Sequence, residues 1–226
     1  KGFINYTDGC SHIYIDDLRI TDADNLTAST IYIKFQNGFH FHMRNLVCAG
    51  VSATGKELYV IGDSAKAGFD VVNNITCENC NFSATTAATL TEFNSSAGKS
   101  MNSLLFSNTA FDGGGTQSKI TSGASDFAIS YKDSHFEDNT LAGVTSIDAT
   151  AGAGPVKISF DNNSVNSIDY IFDLTSTSTA STLTMSNNRL NGADTDKIFN
   201  ENDFQVYVQN LQRTAGYGWS QVSGDG

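Results

Sequence analysis

The sequence predicts an all-β fold built as a solenoid of stacked parallel strands, and three observations carry that expectation. The pattern apolar-x-apolar-x-Asn/Asp recurs eight times along 226 residues, the signature of a repeat architecture. Period-two alternation within each copy marks a strand, and nothing between copies has the period of an amphipathic helix. Composition agrees: 39% of residues are hydrophobic, with 20 glycines and one proline, Pro155, as expected where each turn buries only a thin strip of side chains.

The copies are IYIDDLRI (13–20), FHMRNLVC (41–48), ITCENCNF (75–82), LLFSNTAF (104–111), ISYKDSHF (129–136), ISFDNNSV (158–165), LTMSNNRL (183–190) and VYVQNLQR (206–213). Their third residues, Ile15, Met43, Cys77, Phe106, Tyr131, Phe160, Met185 and Val208, advance by 28, 34, 29, 25, 29, 25 and 23. Insertions therefore fall outside the motif. Positions 1 and 3 face one side, taken as inward. The fifth position is always Asn or Asp: Asp17, Asn45, Asn79, Asn108, Asp133, Asn162, Asn187 and Asn210. Both residue types tolerate left-handed backbone, so the chain is expected to turn a corner there, with stacked side chains hydrogen-bonding from rung to rung.

Beyond the corner the sixth and eighth positions are again mostly apolar, as in Leu18 and Ile20, Leu46 and Cys48, and Cys80 and Phe82. That predicts a second short strand. A third is predicted between motifs at 29–35, 56–62, 88–93, 118–121, 145–149, 169–174 and 196–199. One domain over 1–213 follows, with 214–226 as a capping or linker tail that offers Tyr217 and Trp219 to the last rung.

With these residues in view, the chain resembles the pectate-lyase-like superfamily of right-handed parallel β-helices, whose rungs carry I-x-N-L-x-I. The segments IDDLRI (15–20), MRNLVC (43–48) and VQNLQR (208–213) match it best, and the resemblance covers about 11–213. It implies a right-handed parallel β-helix of about eight rungs with three short strands per rung. It implies less about activity, since that fold hosts lyases, hydrolases, epimerases, adhesins and viral tailspikes.

A net charge of −11 and a pI near 4.5 argue against nucleic acid or an anionic membrane as partner. No stretch reaches the roughly 18 apolar residues of a membrane span, so no membrane insertion is expected. The chain starts at Lys1 without Met, as a processed or excised piece would. Of the four cysteines, Cys10, Cys48, Cys77 and Cys80, three occupy apolar motif positions and are expected to be buried thiols. Cys77-x-x-Cys80 lacks a second pair and a following helix, so neither a metal site nor a redox motif is expected. The acids Glu57, Asp63, Asp70, Glu92, Asp148, Asp169, Asp173, Glu201 and Asp203 are expected to be solvated, and no D-x-D-x-D-G loop is present to bind Ca²⁺. No cofactor or metal is expected.

If positions 1 and 3 point inward, positions 2 and 4 and the residue before the motif point outward, stacked about 4.8 Å apart between rungs. The outward residues are His12, Tyr14 and Asp16 on rung 1, His40, His42 and Arg44 on rung 2, and Asn74, Thr76 and Glu78 on rung 3. This cluster is the best candidate site. Asp16 and Glu78, two rungs or about 9–10 Å apart, sit near the upper edge of the spacing used by inverting glycosidases. A lyase would instead use His42 or Tyr14 as base and Arg44 to neutralise a uronate. His12, Tyr14 and His40 would bind substrate. The stack Asp16, Arg44, Glu78 equally suits a plain cross-strand charge ladder, and an ion pair to Arg44 would keep both carboxylates ionised, wrong for a general acid.

Familiar enzyme signatures are missing. A polygalacturonase-like chain should carry N-T-D, D-D, G-H-G and R-I-K, but only NYTDG (5–9) and Asp16-Asp17 occur; a pectate-lyase-like chain should carry W-x-D-H, but the only tryptophan is Trp219. In its Ser/Thr/Asn-rich rungs of irregular length and its acidity the chain looks most like bacteriophage tailspike domains. That resemblance implies a homotrimer at an extracellular or virion surface that binds and depolymerises bacterial surface polysaccharide. The trimer contact would lie on Leu105, Ala128, Ser130 and Ser159 with Ala110 and Ser164. A secreted monomeric lyase or hydrolase, and a non-catalytic adhesin, are the alternatives.

Overall fold

A computed structural model describes residues 2–7, 9, 11–21, 30–62, 71–96, 99–123, 126–138, 144–152, 154–166, 168, 170–191, 197–202 and 204–213. They form a parallel β-solenoid with three eight-stranded sheets and no helix, consistent with the right-handed coil implied by the resemblance. Each turn adds one strand to sheet 1, one to sheet 2 and one to sheet 3, and every pairing joins consecutive turns in parallel. Sheet 2 holds the motif strands, from Ser11–Asp16 and Phe39–Arg44 to Gln205–Gln209. Sheet 1 runs from Gly2–Tyr6 to Lys197–Asn202, and sheet 3 from Arg19–Thr21 to Gln212–Arg213. Gly2–Tyr6, for which motif spacing predicts nothing, pairs with Ile31–Gln36 and completes the first layer.

The corner between sheets 2 and 3 behaves as the motif predicts. All eight fifth-position residues adopt left-handed backbone, with φ from 49° to 57°. Their backbone N–H groups reach forward, as Asp17 N to Arg44 O at 3.1 Å and Asn45 N to Glu78 O at 3.0 Å. Their side chains reach backward: Asn45 Nδ2 donates to Asp17 Oδ1 at 2.8 Å and Asn79 Nδ2 to Asn45 Oδ1 at 3.4 Å. The ladder halts at Asp133, whose carboxylate has no N–H to offer Asn108, and restarts with Asn162 donating to Asp133 at 2.6 Å.

The sixth position departs from its expected apolar character. Leu18 and Leu46 give way to Cys80, Thr109, Ser134, Asn163 and Asn188, all buried. Buried polar groups need partners, and here they form a second, inner ladder. Asn163 accepts from the Ser134 N–H at 2.8 Å and donates to Tyr131 O at 3.0 Å, and Asn188 accepts from the Asn163 N–H at 2.8 Å and donates to Phe160 O at 2.7 Å.

The core lies between the three sheets and is aromatic in its middle. The eighth positions, Ile20, Cys48, Phe82, Phe111, Phe136, Val165 and Leu190, form one buried column. Phe111 and Phe136 stack at 4.7 Å, and Phe106 and Tyr131 at 5.4 Å. Cys48, Cys77 and Cys80 are buried free thiols, as expected; burial pushes Cys48 and Cys77 well above the usual thiol range. Cys10 and the tail 214–226 lie outside the described residues.

Glu57 overturns the expectation of a solvated charge: it is 0% exposed, in the second position of its sheet 1 strand. That position faces inward in the neighbouring turns as well, where it holds Tyr32 and Leu90. Neither carboxyl oxygen meets a partner at hydrogen-bonding geometry. Burial pushes the carboxyl well above its ordinary 4.5, against a smaller downward pull from the Ser83 amide. Glu92 and Asp148 do face out on sheet 1, paired with Lys56 at 3.3 Å and Lys119 at 3.7 Å. Asp63, Asp70, Asp169, Asp203 and the Glu201 side chain lie outside the described residues.

An acid with a raised folded-state pKa costs nothing while it is protonated in both states. As pH rises past its unfolded value the unfolded state alone releases the proton, so stability falls until the folded-state value is passed. Glu57→Gln is therefore expected to raise Tm at pH 7–8, by about 2–4 °C per kcal/mol relieved, and to leave Tm nearly unchanged near pH 4. Thermal unfolding of both proteins across pH checks this.

Candidate functional site: a ring and charge patch on sheet 2

Strand register brings all seven predicted site residues onto the outer face of sheet 2. Tyr14 lies opposite His42, and Asp16 opposite Arg44; His42 lies opposite Thr76, and Arg44 opposite Glu78. Tyr14, Asp16, His42, Arg44, Thr76 and Glu78 line a shallow cavity of about 270 Å³, with His12 and His40 outside it.

His12 and His40 lie on the outer face, as alternation predicts, but on a backbone that alternation does not. Both have left-handed backbone, φ 58° and 60°, and Asn74 and Ser103 continue the column at 54° and 57°. Pairing skips each of them: Ser11 faces Phe39 and Ile13 faces Phe41, leaving His12 and His40 as stacked single-residue bulges. The register shift between Met101 and Leu104 ends this run at the fifth turn. A bulge re-aims its side chain, and here it lays the imidazoles of His12 and His40 face to face, 4.7 Å apart and 20° from parallel.

The second ring pair is flatter and more open. Tyr14 is 71% exposed, and its ring lies 5.2 Å from that of His42 with only 9° between planes. Thr76 Oγ1 sits 2.7 Å from His42 Nδ1, which fixes the imidazole's rotation from the far side. The sequence places Thr76 as one outward residue among several. Its register position, equivalent to Tyr14 and His42, was the signal for this contact.

The charges are unequally matched. Arg44 donates from Nε to Asp16 Oδ1 at 3.2 Å and from its terminal nitrogen to Asp16 Oδ2 at 2.5 Å. This two-pronged contact holds the Asp16 carboxyl below its ordinary value and raises Arg44 in turn. Glu78 acts on Arg44 only through its field; among the described residues no hydrogen bond or ion pair engages its carboxylate. The row thus carries one closed ion pair and one free carboxylate. Among the described residues no group of three or more His, Cys, Asp or Glu side chains is placed to hold a metal ion, and no helix is long and apolar enough to cross a membrane.

No protein-family model, curated protein or solved structure matches the chain.

Arg44 sets the charge state of Asp16, so Arg44→Gln is expected to move the Asp16 carboxyl titration, followed by its carbon-13 resonance, up toward 3.8. A titration that stays in place would show that Arg44 does not hold the carboxyl ionised.

Proposed function

We propose that this solenoid binds polysaccharide along the outer face of sheet 2, as a tailspike-like receptor-binding domain for bacterial surface glycan. The observation that carries the reading is the exposed, coplanar pair Tyr14 and His42. A coplanar ring pair left open to water on a rigid sheet suits a ligand with an apolar face and a polar rim. A pyranose ring has that character, with C–H bonds on its faces and hydroxyls at its edge. Asp16, Arg44 and Glu78 border the platform with donors and acceptors for those hydroxyls.

Recognition is better supported than cleavage. Hydrolysis by Asp16 and Glu78 needs one of them as general acid; Arg44 denies Asp16 that role, which leaves it to Glu78, a carboxylate that no described residue holds in position. Elimination with His42 or Tyr14 as base needs Arg44 to meet a uronate, and both prongs of Arg44 are on Asp16. A pure binder requires neither rearrangement.

Trimerisation is a separate part of the proposal. Leu105, Ser130 and Ser159 form one half-buried column on sheet 2 with Ala128 beside it, whereas Ala110 and Ser164 lie on sheet 3. The contact strip is therefore the sheet 2 column alone. Light scattering on the chromatographed protein is expected to give three times the chain mass, and a monomer would remove the trimer from the proposal.

Binding is tested on immobilised capsular and O-antigen polysaccharides. Tyr14→Ala and His42→Ala are each expected to weaken binding by about five- to tenfold, the loss of roughly 1 kcal/mol of ring contact. Unchanged affinity in both variants, with circular dichroism intact, overturns the reading. Reducing ends and unsaturated-uronate absorbance, followed in the same incubations, separate hydrolase and lyase from binder.

A further inference from the structure

A cleft of about 810 Å³ lies away from the sheet 2 patch, along the corner between sheets 2 and 3 on turns five to eight. That is within the size range of small-molecule sites. One wall is the outer ladder, Asn162, Asn187 and Asn210, and the other is the first column of sheet 3, where Ser164, Arg189 and Gln212 stand in register. Leu211 contributes an apolar strip.

Two side-chain groups of this cleft have no partner among the described residues. The ladder is incomplete: Asn187 Nδ2 turns aside to Asp161 Oδ1 at 3.2 Å, so the side-chain oxygen of Asn162 receives no donor among the described residues. The guanidinium of Arg189, exposed at the middle of the wall, makes no hydrogen bond or ion pair with any described residue, while its backbone N–H donates to Asn163 O at 2.8 Å. An amide acceptor and a five-donor guanidinium therefore line the same cleft with no partner among the described residues. His135, farther along, is occupied by Ser164 at 2.6 Å and Glu137 at 2.9 Å.

We infer that this corner cleft is a second, independent binding site for a neutral saccharide chain lying parallel to the solenoid axis. Successive amides recur at the rung spacing of about 4.8 Å, so a polymer of hydroxyl-bearing rings can meet equivalent donors and acceptors on each turn, while Leu211 takes an apolar ring face. The planar guanidinium and the side-chain amides offer paired donors and acceptors that vicinal hydroxyls can meet. Charge selects neutrality: Asp133 lines one end and Asp161 lies against Asn187, in a chain of net charge −11, so a polyanion is repelled.

The test is a nitrogen-15 NMR titration with cello-, malto- and xylo-oligosaccharides of four to six residues, and with oligogalacturonate as the charged control. Side-chain amide signals of Asn162, Asn187 and Asn210 are expected to shift with at least one neutral series and not with the control. Arg189→Gln combined with Gln212→Ala, both outside the ladder, is expected to weaken that binding about tenfold or more. Tyr14→Ala, in the sheet 2 patch, is expected to leave it unchanged, which separates failure of this site from failure of the patch. No shift with any neutral series, an equal shift with oligogalacturonate, or full affinity in the double variant overturns the inference.

Discussion

The solenoid depends on one backbone event, the single left-handed residue between sheets 2 and 3. In all eight turns two residues separate the end of the sheet 2 strand from the start of the sheet 3 strand, whereas the links from sheet 3 to sheet 1 vary from two residues, Gly114 and Gly115, to nine, 22–30. A corner of constant length has no slack in which register can slip, so each turn is reset against the last. Asn and Asp bear the left-handed conformation at least cost among residues with a side chain, and their amides then add rung-to-rung bonds. Gly113, with φ 69°, shows the opposite solution at the tightest link: a Cβ there would lie 2.1 Å from Ala84 O.

That constancy explains what was legible in the sequence. Corner residues, sheet 2 strands and their inward and outward faces all follow from one short motif, and from them the grouping of Tyr14, Asp16, His42, Arg44 and Glu78. Sheet 1 was harder because its strands bury two successive side chains, as Glu57 and Leu58 do. That breaks strict alternation and hides a buried acid among residues that look solvated. The inner ladder escaped for a related reason. Thr109, Ser134 and Asn163 read as surface residues by type, and only their hydrogen bonds to corner backbone make burial tolerable.

The two ladders divide the work of the corner. The outer one is exposed, interrupted by Asp133 and diverted at Asn187, so it contributes locally rather than as a continuous chain. The inner one is dry and answers backbone groups that the turn leaves unpaired, where each missing partner would cost about 1–3 kcal/mol. The structural load therefore rests on the inner ladder. This frees the outer column and the wall beside it to vary.

The bulges on sheet 2 bear on function by the same kind of comparison. His12, His40, Asn74 and Ser103 hold left-handed backbone in four successive turns, yet turns five to eight build the same sheet without it. The fold therefore does not require the bulge. Left-handed backbone at a non-glycine residue costs of order 1–2 kcal/mol, least for Asn and His and more for Ser, and a cost repeated four times needs a return. What the bulge provides is width: the bulged turns fit two residues, as Asn102 and Ser103, where the next turn has only Ala128, and His12 stacks on His40 beside Tyr14 and His42, with His40 and His42 centroids 6.5 Å apart. Two parallel ring pairs on one rigid face form a broader platform than alternation alone allows, and that platform is confined to the turns that carry the strain.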